Sequence, residues 1–205
     1  ALKKKNHWKD GSEVIVPALT FVASINTIIQ NSLKPVFVDI DPLYYSLDPC
    51  KIEEKITSKT VAIEPVHLFG QPCDMDPIME IARRHNLYVL EDCAHAPGAE
   101  YKGRKAGSIG DIGCFSFHSL KNMTTLGEGG MITTNRDDFV KPISMLRCMN
   151  LQEWPEHKKT EDYWYPSHFD VDDVNGKWGC NYRMNECQAA VGRVQLKKLD
   201  MLSAK

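Results

Sequence analysis

Val61-Ala62-Ile63-Glu64-Pro65-Val66, Met75-Asp76-Pro77-Ile78-Met79-Glu80-Ile81-Ala82-Arg83-Arg84-His85 and Leu87-Tyr88-Val89-Leu90-Glu91-Asp92 follow one another with short connections. The first and third are apolar runs of strand length. In the second, Ile78, Ile81 and Ala82 recur on one side at helical spacing. A strand, a helix and a further strand in this order form a β-α-β unit, which joins parallel strands.

The alternation extends in both directions. Residues 14–16 and 35–40 read as strands. Between them, 21–31 fits a helix with Phe21, Ile25, Ile28 and Ile29 close to one face. Residues 48–56 suit a short helix, with Asp48 as N-cap and Pro49 at its first position. Residues 112–117 and 131–134 are two more strands, expected as neighbours joined by the loop between them. Residues 137–149 and 186–202 read as helices, the second with Ala189, Ala190, Val194 and Leu199 as an apolar stripe. The expected fold class is α/β, a mostly parallel sheet flanked by helices with right-handed crossovers. Ligands in such sheets sit outside the carboxyl ends of the strands.

Two stretches do not fit the alternation. Residues 1–10 are basic and polar and are expected as an exposed lead segment. Residues 150–179 are rich in Trp, Tyr, Pro and acidic side chains without a clear period, as expected of a long irregular loop.

The composition excludes several classes. A net charge of −2 gives no electrostatic case for nucleic acid or an anionic membrane. No apolar run approaches the roughly 20 residues of a membrane-spanning helix. The 7 cysteines lack a CxxC pair and read as reduced thiols of a cytoplasmic protein. A zinc site from Cys73, Asp74 and His67 has none of the tight ligand spacing of structural zinc, and no metal is expected. No GxGxxG opens a helix and no Walker lysine is present, so the chain carries no nucleotide phosphate-loop motif.

Two side chains fall where ligands bind. Asp92 ends a strand, and Lys121 lies in the loop of Ser116-Phe117-His118-Ser119-Leu120-Lys121-Asn122, followed by the turn Gly127-Glu128-Gly129-Gly130. An aspartate after a strand is commonly a cap, and a loop lysine is commonly a solvated charge. Together they are also the pair that pyridoxal phosphate (PLP) chemistry uses: an amine for the Schiff base and a carboxylate to keep the pyridine nitrogen protonated.

The local sequences resemble the DegT/DnrJ/EryC1/StrS family of PLP-dependent sugar aminotransferases. Ser-Phe-His-Ser-Leu-Lys-Asn (116–122) is similar to the family's lysine loop. Glu91-Asp92-Cys93-Ala94-His95 resembles its Glu-Asp-x-Ala-Gln stretch, with His95 in place of the usual Gln. Asn181-Tyr182-Arg183-Met184-Asn185-Glu186-Cys187-Gln188-Ala189-Ala190 resembles its Asn-Tyr-Arg-x-x-Glu-x-Gln-Ala-Ala.

The resemblance implies the large PLP-binding domain of a fold-type I aminotransferase. It implies Lys121 and Asp92 as catalytic residues and His95 as a contact to the cofactor ring. Ser116 would be a phosphate ligand, Phe21 a stacking aromatic, and Asn181 a ligand to the cofactor phosphate of a neighbouring subunit. Arg183 and His118 are candidates for substrate binding. The implied reaction moves an amino group, expected from glutamate, to a keto group of a nucleotide-linked deoxy sugar. The implied assembly is a homodimer with shared sites.

Family members are longer at both ends. Residues 1–205 are therefore expected to be a partial large domain, truncated at both ends and without the carboxyl-terminal small domain. A sugar dehydratase of the same family would carry His where Lys121 stands. A PLP-binding or regulatory fragment without turnover is the remaining alternative.

Overall fold

Every residue of β1 (Glu13–Pro17) is buried, and the sheet grows from it in both directions. We describe residues 1–149 and 179–204 of a computed structural model; the expected loop at 150–179 lies, apart from Gly179, outside the described residues. The remaining strands are β2 (Lys34–Val38), β3 (Thr60–Ile63), β4 (Tyr88–Asp92), β5 (Glu100–Tyr101), β6 (Arg104–Lys105), β7 (Ile112–Ser116) and β8 (Gly130–Thr133). The helices are α1 (Leu2–Lys5), α2 (Val22–Gln30), α3 (Met75–Arg84), α4 (Asp137–Arg147), α5 (Glu186–Leu196) and α6 (Leu199–Ser203).

The main sheet has 6 strands in the order β2-β1-β3-β4-β7-β8. All neighbours are parallel except β7 and β8, which run antiparallel on either side of the lysine loop. The two faces follow strand alternation. Ile15, Ile63 and Val89 meet Ile78, Ile81 and Ala82 of α3 on one side. Val14, Val16, Ala62 and Leu90 meet Ile25 and Ile28 of α2 on the other. Each such aliphatic side chain contributes about 1.5–3 kcal/mol when fully buried.

The chain divides into two compact units. One comprises His7–Asn135 with Met184–Lys205 and holds both sheets, α2, α3, α5 and α6. The other comprises Ala1–Asn6 with Arg136–Arg183. Within it, Lys5 Nζ lies 2.7 Å from Asp138 and 5.2 Å from the centre of the Phe139 ring. The lead segment is thus not simply an exposed connection: residues 2–5 are helical and Leu2 is buried.

Other expectations change in detail. On α2, Ile28 is buried, but Phe21 and Ile29 are exposed, so the apolar face is narrower than periodicity suggests. Asp48 does accept from Cys50 N–H with Pro49 behind it, but the helix breaks into two 3₁₀ turns, Pro49–Lys51 and Glu53–Lys55. The expected helix 186–202 is interrupted at Lys197 and Lys198, giving α5 and α6. Ala189 and Leu199 line a cavity of about 690 Å³, which also meets Phe115, Phe117, Met123 and Met131. Val194 remains exposed.

The β5–β6 hairpin was not expected. Lys102 and Gly103 both take positive φ, +49° and +76°, the geometry that matches a two-residue hairpin to strand twist. Lys102 and Arg104 each pair with Asp76 of α3, at 2.7 and 2.6 Å, and anchor the hairpin.

Gly113 of β7 has no room for a side chain. A Cβ there would lie 2.5 Å from Gly107 Cα and from Thr133 Oγ1. Gly113→Ala is expected to cost about 2–3 kcal/mol by overpacking, measured as a lower urea midpoint with unchanged slope.

Candidate active site

The end of β4 sends two adjacent acids to opposite faces of the sheet. Glu91 follows Val89 toward the α3 side; Asp92 follows Leu90 toward α2. Asp92 Oδ2 accepts from the Ser24 hydroxyl at 2.9 Å, and Ser24 Oγ lies 2.8 Å from Thr20 Oγ1. Asp92 Oδ1 accepts from Ala94 N–H at 3.0 Å. Its backbone donates to Pro65 O and accepts from His67 N–H. The carboxylate is held from both oxygens and remains half-buried.

Lys121 reaches toward the same end of the sheet. Its Nζ lies 5.8 Å from the centre of the Phe21 ring, at the N-cap of α2. The Phe21 ring is 65% exposed. His95 stacks on Phe69, with ring centres 6.1 Å apart, and its Nδ1 accepts from Phe69 N–H at 3.3 Å. Burial lowers the His95 pKa, the Lys121 charge lowers it further, and Asp92 opposes both. His95 therefore lies within the fields of both Lys121 and Asp92, which holds the imidazole toward its neutral form.

Backbone bonds shape the lysine loop. Phe117 N–H donates to Gly129 O and Ser119 N–H to Gly127 O, at 2.8 and 2.7 Å. Gly127 has a φ of +120°, which a side chain would resist. Gln188 of α5 forms a capping box with Asn185 and donates through Nε2 to Glu128 O at 2.8 Å. Ser116 Oγ accepts from His118 N–H at 3.4 Å. His118 Nδ1 accepts from Leu120 N–H at 3.2 Å. The buried Thr124 hydroxyl in this loop has no partner among the described residues.

Phe21, His95, Asp92 and Lys121 thus gather at one end of the sheet, with Ser116 at the start of the lysine loop. An exposed aromatic face, a fixed carboxylate and an amine fit a planar, cationic aldehyde. Asn181 and Arg183 belong to the other unit, where Arg183 Nε donates to Asn181 Oδ1 at 3.0 Å.

Sequence reasoning missed Ser24, Thr20 and Gln188. Ser24 carries no local signal, because its hydroxyl gains meaning only from Asp92, 68 residues away, and Thr20 matters only through its 2.8 Å bond to Ser24.

Behind Asp92 lies a buried pair. His67 Nδ1 accepts from Cys73 N–H at 3.1 Å, so the imidazole proton is on Nε2 and is donated to Glu91 Oε2 at 3.0 Å. Glu91 also accepts from Gly107, Ile109 and Gly110 N–H at 2.8, 2.8 and 2.6 Å. Burial alone would raise the Glu91 carboxyl, but the bonds from His67, Gly110 and Gly107 outweigh it and the net shift is downward. His67, Glu91 and Cys93 have metal-ligand spacing. Both imidazole nitrogens and both carboxylate oxygens are already engaged, however, so the cluster is a hydrogen-bonded brace.

Residues 1–205 match the sequence model of the DegT/DnrJ/EryC1/StrS aminotransferase family, and the chain belongs to that family. Among its relatives is the GDP-perosamine synthase of Caulobacter vibrioides, 50% identical over 190 residues, or 93% of this chain and 47% of the relative. Another is the dTDP-3-amino-3,6-dideoxy-alpha-D-galactopyranose transaminase of Aneurinibacillus thermoaerophilus, 45% identical over 190 residues, with 93% and 47% covered. The X-ray structure of an aminotransferase from Psychrobacter cryohalolentis superposes with a TM-score of 0.84 at 42% identity, covering 96% of this chain and 48% of that one. A Streptococcus pneumoniae sugar aminotransferase solved in its PLP form gives 0.80 at 30% identity, covering 98% and 52%. The chain spans about half the length of the curated relatives it matches.

Proposed function

We propose that this chain is the cofactor-binding part of a PLP-dependent aminotransferase that aminates a keto group on a nucleotide-linked sugar. The observation that carries this reading is the convergence of Lys121, Phe21 and His95 on the end of the sheet where Ser24 and Ala94 hold Asp92. The family and the named sugar transaminases among its relatives support the substrate class.

Pyridoxal phosphate supplies an aldehyde for the amino donor and a ring that accepts electrons. Lys121 Nζ would hold that aldehyde. As a free amine, Lys121 Nζ would be the base placed to take the proton from the donor α-carbon and to return it during the transfer. Asp92 stabilises the N–H cation of the ring, and its bonds to Ser24 and Ala94 fix its direction. Phe21 and His95 confine the ring, and Ser116 contributes a hydroxyl to the phosphate. Glutamate is the amino donor in this reading. Arg183 and His118 bind substrate, and Asn181 reaches the cofactor phosphate of the partner in a homodimer. Residues 1–205 are a partial large domain in this reading, and the protein acts in the cytoplasm. Cysteines without disulfides agree with that compartment. Among the described residues no helix is long and apolar enough to cross a membrane.

Adding glutamate to the PLP-loaded protein is expected to convert the bound cofactor to pyridoxamine phosphate and release 2-oxoglutarate, both read by mass spectrometry. Cofactor that stays in the aldehyde form with glutamate and with other amino acids would leave a binding fragment without turnover.

A further inference from the structure

The antiparallel pairing of β7 with β8 runs on past both strands into the lysine loop. Its register holds Ser116 opposite Gly130. Phe117 N–H then donates to Gly129 O at 2.8 Å and Ser119 N–H to Gly127 O at 2.7 Å, which sets His118 directly opposite Glu128. Their side chains face each other, with His118 Nε2 3.7 Å from Glu128 Oε1. Lys121 is tied to this last pair, because its N–H donates to His118 O at 2.9 Å. Leu120, next to Lys121, is 87% exposed and gives the backbone there no packed anchor. Bonded and non-bonded pairs alternate along an antiparallel ladder. With Phe117 and Ser119 in the bonded pairs, the Glu128 carbonyl turns out of the ladder, and β8 is the last strand of the sheet.

An outward carbonyl at a sheet edge takes its donors from water or from elsewhere in the fold. Glu128 O meets two. Gln188 Nε2 of α5 donates to it at 2.8 Å and Thr125 Oγ1 at 3.1 Å. Gln188 is held on its other side by the capping box: its Oε1 accepts from Asn185 N–H at 3.2 Å, and its N–H donates to Asn185 Oδ1 at 2.8 Å. With the amide oxygen engaged there, the NH₂ is the group left to face the loop. Thr125 is fully enclosed, and its N–H donates to Phe117 O at 3.1 Å. Two glycines leave the space it fills. A Cβ on Gly192 of α5 would lie 3.0 Å from Thr125 Cγ2, and one on Gly129 would run into the Thr125 hydroxyl.

We propose that Gln188 and Thr125 are positioning residues for Lys121: by donating together to Glu128 O, one from α5 and one from inside the loop, they lock the ladder at His118 and Glu128 and so set where the Lys121 amine stands. The inference rests on the reading of Lys121 as the residue that takes the cofactor aldehyde. Without the two donors, the last bonded pairs of the ladder open more often, and the backbone of Lys121 moves with His118 O. An amine that must meet an aldehyde carbon in one orientation loses rate when its anchor wanders.

Amide hydrogen exchange of the cofactor-free protein reads the lock directly. Gln188→Glu keeps an oxygen for Asn185 N–H, and with it the capping box, but sets a carboxylate oxygen against Glu128 O. Exchange at Phe117, Ser119 and Lys121 should speed up about tenfold, with β1 and β3 unchanged. Thr125→Val should do the same, and Thr125→Ser, which keeps the hydroxyl, should restore protection. After addition of PLP, the visible band of the bound cofactor should form about tenfold more slowly in Gln188→Glu and Thr125→Val. It should form at the parent rate in Thr125→Ser, and borohydride should still leave the pyridoxyl group on Lys121 in all three. Faster exchange spread over the whole sheet, or a lower melting temperature with loop exchange and band formation unmoved, marks a purely structural role and overturns the proposal. Failure of PLP to attach at Lys121 in the parent protein sinks the functional reading instead, and loop exchange still decides whether Gln188 and Thr125 hold the ladder.

Discussion

Lys121→Ala is expected to abolish covalent capture of pyridoxal phosphate and to reduce transamination by at least about 10³-fold, because one amine is both the attachment point and the proton carrier. Borohydride reduction followed by peptide mapping should place a pyridoxyl group on Lys121 in the parent protein and nowhere in the variant. Ion pairing sets several other lysines apart from Lys121. Lys51, Lys102 and Lys105 are paired with Asp39, Asp76 and Glu100. Those carboxylates raise their pKa values and hold the amines as ammonium ions. Among the described residues no carboxylate lies within ion-pair distance of Lys121, and its nearest described partner is the Phe21 ring. Lys121→Arg should fail as Ala does, since a guanidinium keeps the charge and supplies no free amine. A label on another lysine, or turnover retained in Lys121→Ala, would remove the basis of the functional assignment.

The second large effect is on stability. Glu91→Ala is expected to cost at least about 3 kcal/mol, since each buried donor left unsatisfied costs about 1–3 kcal/mol, a large share of the roughly 5–15 kcal/mol that stabilises a typical domain. The substitution strips the acceptor from His67 and from the Gly107, Ile109 and Gly110 amides in a fully buried place. Glu91→Gln should not rescue it. A Gln amide can serve Ile109 and Gly110 with its oxygen, but its NH₂ then faces the Gly107 N–H and His67 Nε2–H. The imidazole cannot turn acceptor there, because Nδ1 would then carry the proton and meet the Cys73 N–H. Urea unfolding of both variants checks this, and a Gln variant as stable as the parent would refute the tautomer assignment. The pH dependence has a definite sign. The folded pKa of Glu91 lies below its unfolded value. Its contribution is therefore present above about pH 4.3, the free glutamate value, and is lost as pH falls through the folded pKa.

Much of this was legible before any coordinates. The β-α-β pattern around residues 61–92 and the lysine loop between two strands placed Asp92 and Lys121 at the carboxyl end of a parallel sheet. The local chemistry of Asp48-Pro49 predicted a cap that formed. Legibility ended where meaning depends on a distant partner. Ser24 is an ordinary helix serine until Asp92, 68 residues later, is folded above it. Periodicity assigned Phe21 and Ile29 to the buried face of α2 because it counts apolar residues and not the width of the surface they meet. The β5–β6 hairpin has two residues per strand, too few for an alternating pattern to show.

The same burial that braces the sheet also grades the cysteines, with Cys114 and Cys148 intermediate. Cys50, Cys180 and Cys187 are exposed, while Cys73 and Cys93 are fully enclosed. Burial pushes the Cys73 thiol up to about 12, and that of Cys93 higher still. Since the thiolate is the reactive species, Cys73 and Cys93 react with an alkylating reagent only when the surrounding strands open. The chain thus carries its own clock: the delay between modification of the outer and inner sulfur atoms measures how often the core beneath Asp92 comes apart.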